Sequence, residues 1–281
     1  MDVRTQAAKA EQLRKLHYGP RILVLPNAWD VASAKILEQA GYPAIATTSA
    51  GIAFAFGYPD GQRISRDEML DMVGRIARAV SVPVTADFEA GYGTTTQHMA
   101  ETVKALIAAG AVGFNLEDVT GDDESTHVPL ALQVEKIRCM RETAASLGVP
   151  LVLNARTDIY LMPIGEAATR FDRTVERLHA YHQAGADCLY PPGVSDRETI
   201  TKLIAALKAP INILLSSGCP PLPELEKMGV ARASAGSTVM RAAMGAVRKV
   251  AQELKERGTY EALFDTSVSY AELQRLMGRT N

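Results

Sequence analysis

Carboxylates recur at equivalent places along this chain, and they are the side chains best able to do chemistry. Asp87 and Glu89 lie in Ala86-Asp87-Phe88-Glu89-Ala90-Gly91-Tyr92-Gly93, Glu117 and Asp118 close Phe114-Asn115-Leu116-Glu117-Asp118, and Asp60 falls in Gly57-Tyr58-Pro59-Asp60-Gly61. Side chains alternate along a strand, so Asp87 and Glu89 share a face; with Val84 and Ala86 turned toward helices, both acids point to the mouth of whatever the strand builds. Acids gathered on one rim repel unless positive charge stands among them. Oxygen donors with no His or Cys beside them suit a hard cation, Mg²⁺ that keeps several waters. Taken singly, each acid would serve as a helix N-cap or loop residue; taken together, on adjacent strand ends, they point to a metal site.

The elements that must position them are punctuated by short breaks: Ala-Gly-Tyr-Pro at 40–43, Ser-Val-Pro at 81–83, Ala-Gly-Ala at 109–111, Leu-Gly-Val-Pro at 147–150, Ala-Gly-Ala at 184–186, Lys-Ala-Pro at 208–210 and Met-Gly-Val at 228–230. Each suits a helix C-terminus, where Gly takes the left-handed conformation and Pro prevents continuation. A brief apolar run follows each break, as in Ala44–Thr48, Val84–Phe88 and Leu151–Ala155; Ile22–Leu25 precedes the first, so eight strands are expected. Helical patterns occupy 29–40, 65–80, 97–109, 130–147, 166–184, 196–207, 222–228 and 238–256. Eight βα units predict an α/β fold of TIM (β/α)8 type with extra C-terminal helices, and chemistry on such barrels sits at the C-terminal strand ends. The connections 49–64 and 118–129 are long enough to be binding loops or lids.

Nothing divides the 281 residues, so one domain is expected, with an N-terminal helix within 1–20 and a helical tail over 257–281. The tail's apolar residues Leu263, Phe264, Tyr270, Leu273 and Met277 exceed what a closed barrel takes in, which places them on the barrel exterior or at a subunit interface. A net charge of −2 offers no field for nucleic acid, and no apolar run is long enough to span a membrane. Three cysteines without metal-type spacing fit reduced thiols, and the polar start lacks a signal peptide's core; a cytoplasmic protein is expected.

Asp87-Phe-Glu89-Ala-Gly91-Tyr92-Gly93 resembles the Asp-x-Asp/Glu-x-Gly-Tyr/Phe-Gly motif of the isocitrate lyase and phosphoenolpyruvate mutase superfamily. Pro26-Asn27-Ala28-Trp29-Asp30, Thr47-Thr48-Ser49-Ala50-Gly51, Gly57-Tyr58-Pro59-Asp60, Leu116-Glu117-Asp118 and Asn154-Ala155-Arg156-Thr157-Asp158 are similar to further motifs in order, so the likeness runs from Arg21 to about Met244. It implies a Mg²⁺- or Mn²⁺-dependent carbon–carbon lyase on a small 2-oxo or 2-hydroxy dicarboxylic acid, passing through an enolpyruvate-like intermediate. Asp87 and Glu89 are the implied metal ligands, with Glu117 and Asp60 holding metal-bound waters. Asp60, Glu117 and Arg156 are the implied catalytic groups. Thr48, Ser49 and Ala50 would bind the substrate carboxylate through backbone N–H groups, joined by Arg156 in a bidentate fork. Without the resemblance, Arg156 could equally pair with Asp158 or Asp187. Arg241 falls where the superfamily has an arginine, though a helix position suits a structural role as well. A homotetramer, built from pairs exchanging their last helices, is also implied.

The chain departs from the resemblance after Glu117. Isocitrate and methylisocitrate lyases carry a Lys/Arg-Cys-Gly-His segment there, and phosphonate enzymes a lysine and an asparagine; this chain has Val119-Thr-Gly-Asp122-Asp123-Glu124-Ser-Thr-His127. That acidic loop reads as a solvated turn or as a lid with His127 as proton donor. Leu189-Tyr190-Pro191-Pro192 stands where methylisocitrate lyases have a glutamate. The reading is therefore a lyase other than those two, with two alternatives: a phosphonate P–C mutase or hydrolase, and a barrel that binds a 2-oxo acid without turning it over. Asn212 is expected inside the barrel, and Tyr92 near a developing oxyanion.

Overall fold

A computed structural model describes residues 1–120, 127–162, 164–265 and 267–278. All strand pairs are parallel, and successive strands are neighbours around a ring. The first barrel strand is in two pieces, β1 (Leu23–Leu25) and β2 (Asn27–Ala28), because Pro26 has no N–H to donate. Its carbonyl still accepts from Ala46 N at 3.1 Å, so β1 faces the last strand and β2 the next. There follow β3 (Ile45–Thr47), β4 (Val84–Asp87), β5 (Gly113–Leu116), β6 (Val152–Arg156), β7 (Cys188–Tyr190), β8 (Asn212–Leu214) and β9 (Arg232–Ser234). One bridge, Leu189 to Ile211, joins β7 to β8 and closes the ring. The expected TIM barrel is the observed one.

Helix α1 (Val3–Leu16), capped by Asp2, lies beneath the barrel. Gln6 Nε2 donates to the Ile107 and Ala111 carbonyls, and Arg14 Nε reaches Asp187 at 2.9 Å, which fastens α1 to that end. The crossover helices are α2 (Val31–Gln39), α4 (Arg66–Ala79), α5 (Thr96–Ala109), α6 (Leu130–Ser146), α7 (Arg170–Gln183), α8 (Arg197–Leu207), α9 (Leu222–Met228) and α10 (Thr238–Arg257). Two of the expected stops, Gly110 and Gly229, end their helices at φ near 90°.

Two elements differ from expectation. The connection 49–64 contains a seven-residue helix, α3 (Ser49–Ala55), started by Thr48. Gly51 is needed in it, since a Cβ there would stand 2.6 Å from Thr48 Cγ2. A 3₁₀ turn at Ala167–Thr169 delays α7 to Arg170. In the tail, α11 (Ala262–Asp265) follows α10, and α12 (Tyr270–Met277) lies against α2, where Gln39 Nε2 reaches Glu272 at 3.4 Å. Val247, Tyr260, Phe264 and Tyr270 remain exposed.

The apolar core lies between strands and helices, with Phe88, Phe114, Leu153 and Ile137 fully buried. Inside the ring the side chains are polar: Thr85, Asn115, Asn154, Asn212 and Arg232 are all buried, as expected for Asn212.

Candidate active site

Strands β2 and β4 to β9, with the loops behind the strands and the start of α3, line a cavity of about 480 Å³ at the C-terminal rim. Of the residues singled out from the sequence for metal, substrate or catalysis, Thr48, Ser49, Ala50, Asp60, Asp87, Glu89, Glu117 and Arg156 line it; Tyr92 and His127 do not. Arg241 joins them from the first turn of α10. A second cleft, about 570 Å³ between α2 and α12, has Lys35, Glu38 and Arg275 on its walls but none of those groups.

Asp87 ends β4 and is held on both oxygens. Oδ2 accepts from Ser49 N at 3.0 Å and Ser49 Oγ at 2.8 Å; Oδ1 accepts from Asn115 Nδ2 at 3.0 Å. Thr47 Oγ1 fixes the Asp87 backbone N–H at 2.9 Å. The Ser49 N–H is therefore aimed at Asp87 rather than at a substrate carboxylate, which corrects the expectation for that one donor. Thr48 Oγ1 is likewise occupied, accepting from Gly51 N at 3.3 Å as the cap of α3.

Glu89 reaches the pocket by a route that strand alternation does not describe. The strand stops at Asp87, and Glu89 and Tyr92 adopt positive φ (52° and 54°) in a tight turn. Glu89 Oε1 accepts from Gly61 N at 3.1 Å and Gln62 N at 2.7 Å, while Tyr92 donates its OH to Oε2 at 2.7 Å. Gln62 Oε1 accepts from Tyr92 N at 2.9 Å, so the loop bearing Asp60 is locked to the turn bearing Glu89. Burial and the adjacent Glu89 carboxylate push the Tyr92 phenol far above its usual range, which keeps its proton in place as a donor. Tyr92 therefore positions Glu89.

Glu117 and Asp118 point to opposite sides, as neighbours do. Glu117 faces the pocket and pairs with Arg156 Nη1. Asp118 is fully buried, accepting from Arg177 Nε at 2.7 Å, Tyr181 OH at 2.8 Å and Asp158 N at 3.1 Å, and so ties α7 to the rim. Arg156 also donates Nε to Asp158 Oδ1 at 2.6 Å and stands over the Tyr190 ring at 5.8 Å. Its structural partner is thus Asp158; Asp187 belongs to Arg14 and Arg141. Two of its five N–H donors are committed in this way, which leaves donors for a ligand.

The electrostatics run short of positive charge. Burial pushes the Glu117 carboxyl well above the carboxylate range, Arg156 opposes this, and Asp158, Asp87 and Glu89 add to it. Burial also raises Glu89, against its hydrogen bonds from Tyr92 and Gln62. Among the described residues the lining sets Arg156 and Arg241 beside Asp60, Asp87, Glu89 and Glu117. Among the described residues no three Asp, Glu, His or Cys side chains form a cage for an ion. A Mg²⁺ ion that keeps its water and takes one or two carboxylates needs none. An all-oxygen donor set with surplus negative charge fits such an ion.

With this geometry in view, the comparisons are specific. A sequence profile of the phosphoenolpyruvate phosphomutase family matches residues 13–255. The chain belongs to that family. Within the wider isocitrate lyase and phosphoenolpyruvate mutase superfamily, it is 30% identical over 249 residues to 2-methylisocitrate lyase of Escherichia coli, covering 85% of this chain and 82% of that one. It is also 30% identical over 280 residues to oxaloacetate decarboxylase of Rhodopseudomonas palustris, covering 96% and 92%. A structure of oxaloacetate acetylhydrolase with its product oxalate superposes with a TM-score of 0.85 at 25% identity, covering 96% of this chain and 94% of that one.

Sequence reasoning left Asn115 and Tyr190 without roles, though both line the pocket. For Asn115 a signal existed: it lies two residues before Glu117, hence on the same face of β5. Within the loop after Glu117, Asp122, Asp123 and Glu124 fall outside the described residues. His127 is not part of the lining; its Nε2 stands 4.0 Å from Asp118 Oδ1.

Proposed function

We propose that this chain is a Mg²⁺- or Mn²⁺-dependent lyase that cleaves a carbon–carbon bond in a small 2-oxo or 2-hydroxy dicarboxylic acid, oxaloacetate being the simplest. The observation that carries this is one rim cavity holding four carboxylates and, among them, an arginine with donors to spare. Asp87 and Glu89 would hold the ion, with Glu117 and Asp60 around its water ligands. The ion, when bound, supplies Lewis acidity toward the 2-oxo group and neutralises the carboxylate ring.

The chain's own residues do the rest. Ser49 and Asn115 fix both oxygens of Asp87, so its geometry is set before any ligand arrives. Arg156 presents its remaining N–H groups to the carboxylate next to the 2-oxo carbon, itself anchored by Asp158 and Glu117. In decarboxylation the C3–C4 bond breaks, its electron pair becomes the C2–C3 double bond, and the 2-oxo oxygen takes the negative charge. Carbon dioxide leaves, and a proton from solvent at C3 gives pyruvate. Leu161, Met162 and Tyr190 on the cavity wall limit water around the reacting carbons.

The relatives named for oxaloacetate and for 2-methylisocitrate support a small dicarboxylate. The absence of a cysteine after Glu117 separates this chain from isocitrate and 2-methylisocitrate cleavage, for which essentially no turnover is expected. A screen of 2-oxo and 2-hydroxy dicarboxylates and phosphonopyruvate, with Mg²⁺ and with excess chelator, tests the reading through pyruvate, carbon dioxide and phosphate release. Phosphate release from phosphonopyruvate would favour the P–C alternative; binding without turnover of any acid would favour a non-catalytic barrel.

The same reading includes a cytoplasmic homotetramer with no nucleic-acid or membrane partner. No described helix is long and apolar enough to cross a membrane. The exposed Val247, Tyr260, Phe264 and Tyr270 on α10 to α12 supply the apolar surface for assembly.

A further inference from the structure

Arg232, on β9, is 1% exposed and has no part in the pocket lining. Its Nη2 reaches Asn115 Oδ1 at 3.5 Å. Since β9 pairs with β1 and β8, and β5 with β4 and β6, this contact crosses the inside of the barrel. Asn115 is a junction there: Oδ1 also accepts from Asn154 Nδ2 at 2.8 Å, and Nδ2 donates to Asp87 Oδ1. A path of side chains thus runs from a buried guanidinium, through one amide, to the carboxylate on the pocket floor.

This arginine is held at a cost. Its Nε and Nη1 are buried and find no acceptor among the described residues. Two part-buried arginines are treated differently: Arg156 contacts Glu117 and Asp158, and Arg177 contacts Asp118. Arg232 forms no such ion pair among the described residues. Burial pulls its pKa down, with attraction from Cys188, Tyr190 and Asp87 opposing. A guanidinium stays protonated across the physiological range. Its charge is therefore not cancelled by contact, and in a poorly screened interior it acts at range. Stability alone would favour an apolar side chain at this position.

We infer that Arg232 is a buried counter-charge beneath the pocket, which raises affinity for a dianionic ligand through the barrel interior without touching it. This rests on the reading of the pocket as a metal and dicarboxylate site. Two effects separate an electrostatic role from a packing role. Removing a positive charge weakens an anion but does not weaken a cation; damaging the packing around Asn115 and Asp87 weakens both.

The test uses the full-length protein and two probes, Mn²⁺ alone by electron paramagnetic resonance and oxalate at saturating Mn²⁺ by calorimetry. For Arg232→Met we expect oxalate to bind roughly a hundredfold more weakly, the scale of one charge acting on a dianion over roughly 10 Å of protein. Mn²⁺ should bind as tightly as to the wild type or more so, and the thermal midpoint should not fall. Arg232→Lys, which keeps the charge, should restore most of the oxalate affinity. If Arg232→Met does not fold, Arg232→Gln carries the same comparison. Unchanged oxalate binding, or equal weakening of Mn²⁺ and oxalate without rescue by lysine, would overturn the inference. A wild type that binds neither probe would instead sink the reading of the pocket itself.

Discussion

Arg156→Ala strikes the feature that joins the fold to the proposed chemistry. The guanidinium donates to Asp158 Oδ1 at 2.6 Å and to Glu117 Oε1; the Asp158 side chain is fully buried, and those of Glu117 and Arg156 are each 13% exposed. Removing the arginine leaves two buried carboxylates without their cation, a change worth about 3–5 kcal/mol of stability. Out of a typical total of about 5–15 kcal/mol, that weakens the protein without necessarily unfolding it. Separately, a bound substrate carboxylate would lose a charge-assisted partner, which costs about 2–5 kcal/mol, or a factor of roughly 30 to several thousand in kcat/KM. Urea unfolding without metal or ligand measures the first effect; oxaloacetate decarboxylation, followed as pyruvate, measures the second. Arg156→Lys separates them, since it keeps a cation beside Asp158 and Glu117 but loses the planar fork, so activity should fall much further than stability. Arg156→Ala retaining kcat/KM within tenfold of the wild type would refute the assignment to substrate binding. An unchanged urea midpoint would refute the energetic importance of the ion pairs.

Asp87→Ala should abolish both Mn²⁺ binding and metal-dependent turnover, because it removes the acid that Ser49 and Asn115 hold in place; wild-type turnover in excess chelator would contradict the metal reading. His17 is buried, its ring N–H donates to Leu13 O at 2.8 Å, and burial and Arg232 lower its pKa from 6.5 to about 4. The unfolded chain then binds a proton that the native one does not, so stability is complete above about pH 6.5 and is lost toward pH 4, by about 3 kcal/mol at most. His17→Asn should flatten this part of the pH dependence of the urea midpoint, and parallel profiles would exclude His17 as its source. For the tail, light scattering at micromolar concentration should report a tetramer that is lost on Phe264→Glu with Tyr270→Glu; a monomeric wild type would rule out assembly through these helices.

Local signals gave away the barrel because its punctuation is local. Gly110 and Gly229 end their helices in the left-handed conformation that the Gly breaks foretold, and the acids fall at the rim because each strand is only three to five residues long apart from the broken first one. Helix α3 escaped because seven residues, one of them glycine, make too weak a periodic signal; its cap, Thr48, was read for a substrate role instead.

The order of βα units, the rim on which the pocket opens, and the identity of the acids there were therefore determined by the sequence alone. They depend on periodicity, Gly and Pro within a few residues. What the acids do there was decided only by the tertiary structure. Glu89 enters the pocket through a left-handed turn held by Gly61 and Gln62, the Ser49 N–H turns to Asp87, and Arg156 pairs with Glu117 across 39 positions of chain. Arg232 and Asn115 are 117 positions apart and meet only inside the closed ring. Such contacts are set by how the strands close and by which polar groups must find partners once buried, and no local window of sequence contains both sides of them.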